Sequence, residues 1–175
     1  RRQTKTAFNI VQEYSEPELH KLFERYGEVT NARTLAKTIV ALRDKVSLSS
    51  IENFKNALRT VVKGNPNRYF AQVFQALRIE VNEELKALQE LLQQIPGILN
   101  PGGRAAIITF HSLEDRLVKH FFRSGSFEEP DENPFINTER RNELKLVTKK
   151  PIAPGQDELK RNPRSRSARL RVAEK

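Results

Sequence analysis

The 175-residue sequence contains no cysteine and no methionine, and its seven glycines form no Gly-x-Gly motif. The absence of cysteine excludes disulfide bonds, cysteine-ligated zinc and thiol catalysis. No apolar run approaches the roughly 18–20 residues that span a membrane, and no apolar signal-peptide segment is visible. We therefore expect a cytoplasmic protein without a membrane partner. Because a complete translation product begins with methionine and this chain begins with Arg1, we also expect a fragment or a processed form.

Positive charge is concentrated towards the end of the chain. The sequence carries 31 Lys and Arg against 22 Asp and Glu, a net charge of +9. Residues 140–175 account for +8, with 12 basic and 4 acidic residues, whereas residues 1–139 carry +1. A concentrated basic tract indicates a polyanion partner, since each Lys or Arg that neutralises a phosphate releases counterions. A solvated basic tail is the competing interpretation.

Residues 1–66 show the pattern of a small all-α domain. Apolar residues recur at helical spacing in several short segments. Residues that can cap a helix start precede these segments: Ser15, then Thr30 or Asn31, then Ser49 or Ser50. We expect three or four short amphipathic helices in a compact bundle.

Residues 67–175 show the pattern of α/β structure. One long helix is predicted over residues 67–98, because apolar residues repeat every three to four positions. The run "RAAIITF" predicts a strand buried on both faces, as in a parallel sheet, and a helix is expected from Ser112 to about Arg123. Two alternating segments, "ELKLVTKKP" and "SARLRVAE", predict strands on either side of a short helix or turn. The predicted class is an open α/β sheet, with a mobile loop at about residues 124–140.

The segment "TFHSLEDRL" at residues 109–117 places a base, a hydroxyl and two carboxylates at the end of the predicted strand. Ligands of doubly wound sheets bind at such strand ends, so His111 is a candidate functional residue. Ser112 and Asp115 have the Ser-x-x-acid spacing of a capping box. A helix cap, at the rim of an active site, is the favoured interpretation of these two residues.

Five segments closely resemble one protein family. They are "TAFNIVQEYSEPEL", "FERYGEVTNARTLAKTIVALR", "AQVFQALRIEVNEEL", "NPGGRAAIITFHSLEDRLVKHFF" and "NPRSRSARLRVAEK". In this order they are similar to the bacterial 16S ribosomal RNA cytosine-N4 methyltransferases, whose central phrase "SFHSLEDR" reads "TFHSLEDR" here. The resemblance extends over essentially the whole chain.

The resemblance implies a fold, an activity and a substrate. Members of that family transfer a methyl group from S-adenosylmethionine to N4 of a cytosine in the decoding region of small-subunit RNA. For that reaction, His111 could accept a hydrogen bond from the cytosine amino group or orient the cytosine ring. Their catalytic domain is a Rossmann-like sheet interrupted by a helical insertion. Residues 1–66 correspond to the insertion, and residues 67–175 to the C-terminal half of the catalytic domain. The family's glycine-rich cofactor loop lies upstream of the insertion and has no counterpart in this sequence, so we expect the chain alone to be inactive.

Two sets of polar residues are candidates for contacts with the cofactor and with RNA. Arg78 and Asn82, one helical turn apart, are candidates for the cofactor side, and a polar outer face is the alternative. Arginines that can offer forked donors to phosphates follow near the end of the sequence: Arg161, Arg164, Arg166, Arg169 and Arg171. Because Arg169 and Arg171 alternate with apolar residues, we expect both on the RNA-facing side of the last strand.

A function of a different class stays open at this point. A non-catalytic RNA-binding or ribosome-assembly protein would use the helical bundle as its module and the basic segment as its anchor. No metal is expected, because the histidines are not at ligand spacings: His20, His111 and His120. A half sheet exposes an unpaired edge, which predicts a homodimer or other self-association.

Overall fold

The computed structural model describes residues 5–127 and 142–175. Most of the expected mobile loop, residues 128–140, lies outside the described residues. The chain divides into two compact units, Arg1–Glu84 and Leu85–Lys175. Among the described helices, none combines the length and low polarity that a membrane crossing requires.

The first unit, as far as it is described, is helical. Its elements are α1 (Ala7–Glu13), α2 (Glu16–Arg25), α3 (Ala32–Leu42), α4 (Ile51–Ala57), a 3-10 helix (Arg59–Val61) and α5 (Pro66–Asn82). Ser15 forms a capping box with Glu18 at the start of α2, and the Ser50 side chain caps α4. Asn31 is the N-cap residue of α3. The predicted bundle of short helices is confirmed.

The helical unit is held together by one apolar core. α2 packs on α3 and α5, and α1 also contacts α5. Fully buried apolar side chains from these helices and from the turn after α4 fill it: Ile10, Leu19, Phe23, Leu35, Ile39, Leu58 and Val73. The turn between α2 and α3 lies directly on α5, because a Cβ atom at Gly27 would be 2.9 Å from the carbonyl oxygen of Gln72. Gln72 and Gln75 donate hydrogen bonds to the carbonyl groups of Glu28 and Tyr26 in this turn.

The prediction of one continuous helix over residues 67–98 is wrong. α5 ends at Asn82, α6 spans Glu84–Ile98, and Glu83 between them has a left-handed backbone with φ of 49°. The Glu84 carboxylate accepts hydrogen bonds from Arg78 and Asn82 at 2.9–3.1 Å, all within the first unit. The apolar repeat gives no sign of this break, since it continues on both sides of a single left-handed residue.

The division between the two units lies one helix later than the expected boundary at residue 66. Buried residues of α5, including Phe70, Val73 and Leu77, join the core of the helices before it. α5 therefore belongs to the helical unit, which ends at Glu84. The correspondence of the two units to an insertion and to half of a catalytic domain stays a prediction.

The second unit combines helices with a small sheet. After α6 follow β1 (Arg104–Thr109), α7 (Ser112–Ser124), β2 (Lys145–Leu146), α8 (Gln156–Arg161), a second 3-10 helix (Pro163–Ser167) and β3 (Arg169–Glu174). β3 is the middle strand and pairs antiparallel with both β1 and β2. The predicted order of helices and strands in this half is confirmed, and the mixed α/β class with it.

The prediction that the first strand is buried on both faces, as in a parallel sheet, is wrong for the described structure. α7 covers one face, where Ile107 and Ala173 pack against Val118 and Phe122. On the opposite face of β1, Ile108 is 59% exposed, because no described element of this unit covers it. β1 pairs with β3 along one edge only among the described strands. Self-association through its other edge stays a prediction.

Candidate functional site

His111 forms the N-cap of α7. Its backbone is extended, with φ of −139°, and its Nδ1 accepts a hydrogen bond from the backbone N–H of Glu114 at 3.3 Å. Glu114 Oε2 accepts in return from the backbone N–H groups of His111 and Phe110, at 3.4 and 2.9 Å. The expected capping box of Ser112 and Asp115 is therefore wrong. The box lies one residue earlier, because glutamate three residues after the cap reaches back to the chain before the helix.

The cap defines the tautomer of the His111 ring. Because Nδ1 accepts a hydrogen bond, the neutral imidazole carries its proton on Nε2 and donates from there. Nε2 is buried and finds no hydrogen-bond partner within the described residues, although Glu114 Oε1 lies 3.2 Å away. The His111 side chain is 12% exposed. In this tautomer the end of β1 carries a buried N–H donor with the Glu114 carboxylate beside it, and Nε2 offers no lone pair as an acceptor.

The surroundings of Glu114 keep its carboxylate ionised. Burial by itself raises the pKa of Glu114, but the interaction with the His111 side chain and the hydrogen bond from the Phe110 N–H together lower it below its ordinary value. An ionised carboxylate is the better acceptor for the two backbone N–H groups before α7. It also carries the charge sign that the helix N-terminus favours.

We expect the Glu114 cap to make stability depend on pH. Because the pKa of Glu114 is lower in the folded than in the unfolded chain, its contribution is fully present above the ordinary glutamate pKa. It is lost as pH falls through the lower folded value. Urea unfolding should be measured for the wild-type chain and for Glu114→Gln between pH 7 and pH 3. We expect the wild-type chain to have the higher free energy of unfolding at pH 7, and the difference to shrink as the pH falls. Parallel pH curves for the two proteins would contradict this expectation.

Asp115 is bound to an arginine of the last strand rather than to the helix start. Arg171 Nε and Nη2 donate to the two carboxylate oxygens of Asp115 at 2.7 and 2.9 Å. The side chains are 5% and 16% exposed. This forked pair joins the first turn of α7 to β3, which is central in the sheet. The helix that begins after His111 is thereby fixed to the sheet.

The five candidate RNA-binding arginines fall into two groups. The expectation that Arg171 faces RNA is wrong, since its guanidinium is buried against Asp115. The other four are exposed: Arg161, Arg164, Arg166 and Arg169. Arg169 lies opposite Thr109 in the β1–β3 register, and Thr109 precedes His111 by two residues. The exposed arginine at the start of β3 and the His111 cap therefore lie at the same end of the sheet.

Arg78 and Asn82 are exposed residues of the helical unit whose donors are directed to Glu84. These contacts support a structural role at the end of α5. Their assignment to cofactor binding stays a prediction.

The glycine pair before β1 forms a closed turn. Gly102 N–H donates to the Lys175 carbonyl at 2.7 Å, and Gly103 N–H donates to the Asn100 carbonyl at 2.8 Å. With both amides occupied, this turn offers no free N–H groups to an anionic or zwitterionic ligand. The described residues therefore do not supply a glycine-rich cofactor cradle.

Two contacts of the site were missed by sequence reasoning. The capping role of Glu114 had a local signal, since it stands three residues after His111, but histidine is not among the preferred N-cap residues. The pair of Asp115 and Arg171 had no local signal, because 56 residues separate its members.

Comparison with known proteins agrees with the resemblance seen in the sequence. The chain matches the family described as the MraW methylase family over residues 1–175. A similar protein is the "Ribosomal RNA small subunit methyltransferase H" of Azobacteroides pseudotrichonymphae, 47% identical over 99% of this chain and 57% of the relative. Proteins of the same name from Parabacteroides distasonis and Elusimicrobium minutum are each 45% identical, over 97% and 98% of this chain and 56% and 54% of the relatives.

The chain spans a little over half the length of these curated relatives. Within that part, the match is continuous and the identity is well above that of chance similarity. The chain belongs to the MraW methylase family.

Proposed function

We propose that this chain is part of an S-adenosylmethionine-dependent methyltransferase that modifies N4 of a cytosine in the decoding region of 16S ribosomal RNA. The observation that carries the proposal is the family match over all 175 residues, with relatives named for methylation of small-subunit ribosomal RNA. In this proposal the three strands are one part of a larger Rossmann-like sheet. The protein acts on the small ribosomal subunit in the cytoplasm.

The end of the sheet at His111 supports a role in holding the target base. A cytosine must leave its stack to reach an enzyme's pocket, and its ring then presents N3 and O2 as acceptors beside the N4 amino group. The Nε2–H of His111 is a buried donor of fixed direction, suited to one of these acceptors. A hydrogen bond there would orient the base and leave the amino group unobstructed, which is chiefly positioning.

The exposed arginines support contacts with the RNA backbone beside the base. Arg164 and Arg166 flank the buried Ser165, whose hydroxyl donates to the Asn162 carbonyl at 2.7 Å. This contact anchors the 3-10 helix while both guanidinium groups face outward. With Arg169 at the same end of the sheet as His111, phosphates on either side of an extruded base have nearby cations.

The glycine turn before β1 is closed, so it does not supply the glycine-rich cradle of the cofactor. We propose that S-adenosylmethionine is held by the upstream region that the family resemblance implies. The chain by itself would then bind RNA without transferring methyl groups.

The experiment that tests the proposal measures methyl transfer and RNA binding together. The chain is joined to the upstream region of a curated relative, and labelled S-adenosylmethionine is supplied with unmethylated small ribosomal subunits. We expect label at N4 of a single cytosine. The unjoined chain should give no label but should bind the subunits in a salt-dependent manner.

Two results would overturn parts of this proposal. RNA binding without label in the joined protein would favour the non-catalytic ribosome-assembly protein instead. Label at another atom of the RNA would support methyltransferase activity but would show that cytosine N4 is not the target.

A further inference from the structure

The helical unit is strongly divided by charge. Residues 33–68 carry eight Lys and Arg against two acidic residues, a net charge of +6. The remaining described residues of this unit, 5–32 and 69–84, carry four Lys and Arg against eight acidic residues, a net charge of −4. The net charge of the described part of the unit is therefore small, although its positive and negative residues are concentrated in different segments. The positive part consists of α3, α4, the first 3-10 helix and the start of α5.

Most of these cations are exposed and without a carboxylate partner. The exposed set, called here the basic surface, is Arg33, Lys37, Lys45, Lys55, Arg59, Lys63 and Arg68. None of its members forms an ion pair within the described residues. Elsewhere in the same unit, Lys5 is paired with Glu80 and Arg78 with Glu84. The basic surface is therefore a source of uncompensated positive potential.

Two contacts bring parts of the basic surface together. Asn31 Nδ2 donates to the Val61 carbonyl at 2.8 Å, which joins the start of α3 to the first 3-10 helix. Arg33 follows Asn31 by two residues, and Arg59 and Lys63 lie two residues on either side of Val61. These three cations therefore belong to two segments that this hydrogen bond holds together.

The second contact joins α4 to the start of α5. Lys55 Nζ lies 5.4 Å from the centre of the Phe70 ring, and Arg68 precedes that ring by two residues. Phe54 and Phe70 are themselves buried, and both contact Phe74. The aromatic rings beneath these cations are thus engaged in the core and are not free to stack on bases.

We propose that the basic surface binds the phosphate backbone of RNA. This inference rests on the proposed function and adds the face of the helical unit that meets the substrate. Unpaired cations spread over neighbouring helices match a chain of regularly spaced phosphates, and the burial of Phe54 and Phe70 in the core favours backbone contact over base stacking.

The test uses two charge-matched double variants of the full chain. Arg33→Gln with Lys37→Gln removes two exposed cations four residues apart on α3. Lys21→Gln with Arg25→Gln removes the same charges, at the same spacing, from the exposed face of α2 outside the basic surface. Binding to purified small ribosomal subunits and to protein-free 16S ribosomal RNA is measured over a range of salt concentrations.

We expect the α3 variant to bind both probes about tenfold more weakly near physiological salt. The slope of log affinity against log salt should become shallower by about 1.4, the value for two lost phosphate contacts. The α2 variant should keep the wild-type slope. A third double variant, Arg59→Gln with Lys63→Gln, should show the same loss of RNA affinity. Agreement between the two variants would show that the loss does not come from a folding defect in α3.

The outcomes separate this inference from the proposed function. If the wild-type chain binds RNA and the α3 and 3-10 variants bind equally well, the basic surface is not the RNA contact, and the proposed function is untouched. If the variants lose affinity for intact subunits but not for protein-free RNA, the surface contacts a ribosomal protein and the inference fails. If the wild-type chain binds neither probe, the proposed function fails, and the inference fails with it.

Discussion

Replacing Asp115 with alanine is expected to lower the free energy of unfolding of the α/β unit by about 3–5 kcal/mol. The variant leaves the Arg171 guanidinium, 5% exposed in the native structure, buried without its counter-charge. Removing one partner of a buried pair costs more than the pair itself contributes, because the remaining charge is desolvated without compensation. Urea unfolding followed by circular dichroism measures the loss directly.

The same strand provides a matched control. Arg104 and Glu174 also form an arginine–carboxylate pair, with a distance of 2.7 Å, but their side chains are 64% and 33% exposed. Glu174→Ala should therefore cost no more than about 1 kcal/mol. The double variant Asp115→Leu with Arg171→Met should be more stable than Asp115→Ala, since it leaves no buried charge. Equal losses for Asp115→Ala and Glu174→Ala would show that burial of the first pair has no energetic consequence.

Replacing His111 is expected to lower methyl transfer by about 10²-fold in the joined protein, a magnitude typical of removing one preorganised donor. The reason is the proposed hydrogen bond from Nε2–H to the cytosine ring, which fixes the amino group in position. Two substitutions separate this role from helix capping. Asparagine is a favoured N-cap residue and retains the cap, whereas alanine loses it at a cost of about 1 kcal/mol.

We expect His111→Asn and His111→Ala to lose similar activity while only His111→Ala loses thermal stability. The rate at saturating RNA and the KM for the small subunit should be measured separately, since loss of base orientation lowers kcat without requiring weaker RNA binding. If His111→Asn transfers methyl groups at the wild-type rate, the role of His111 is to cap α7 and not to orient the cytosine.

Local signals predicted most of the helical unit. Ser15, Asn31 and Ser50 all stand where helices begin, because a capping residue is recognised from its immediate neighbours. The break at Glu83 was missed, since a left-handed glutamate has no distinctive pattern and apolar spacing continues beyond it. The sequence therefore predicted a bundle of short helices correctly, but it did not predict where the last helix of the bundle ends.

The site was predicted in place but not in detail. The end of the strand before His111 was the correct location, because strand, polar cluster and helix follow each other directly in the sequence. The roles within it depend on partners that lie far apart in the chain. Arg171 had the alternation of an exposed strand residue, and its burial follows from a carboxylate 56 positions earlier, which no local pattern reveals.

The central position of β3 has a consequence for the order of folding. Its pairing with β1 joins residues 60–70 positions apart, from Thr109 with Arg169 to Arg104 with Glu174. Contacts of this separation carry a loop-closure cost and form slowly. During synthesis the helical unit can complete its core while the sheet still lacks its middle strand. The part of the α7 apolar face that packs on β3 therefore stays uncovered until residues 169–174 have been made, and during this interval the nascent chain is exposed to aggregation.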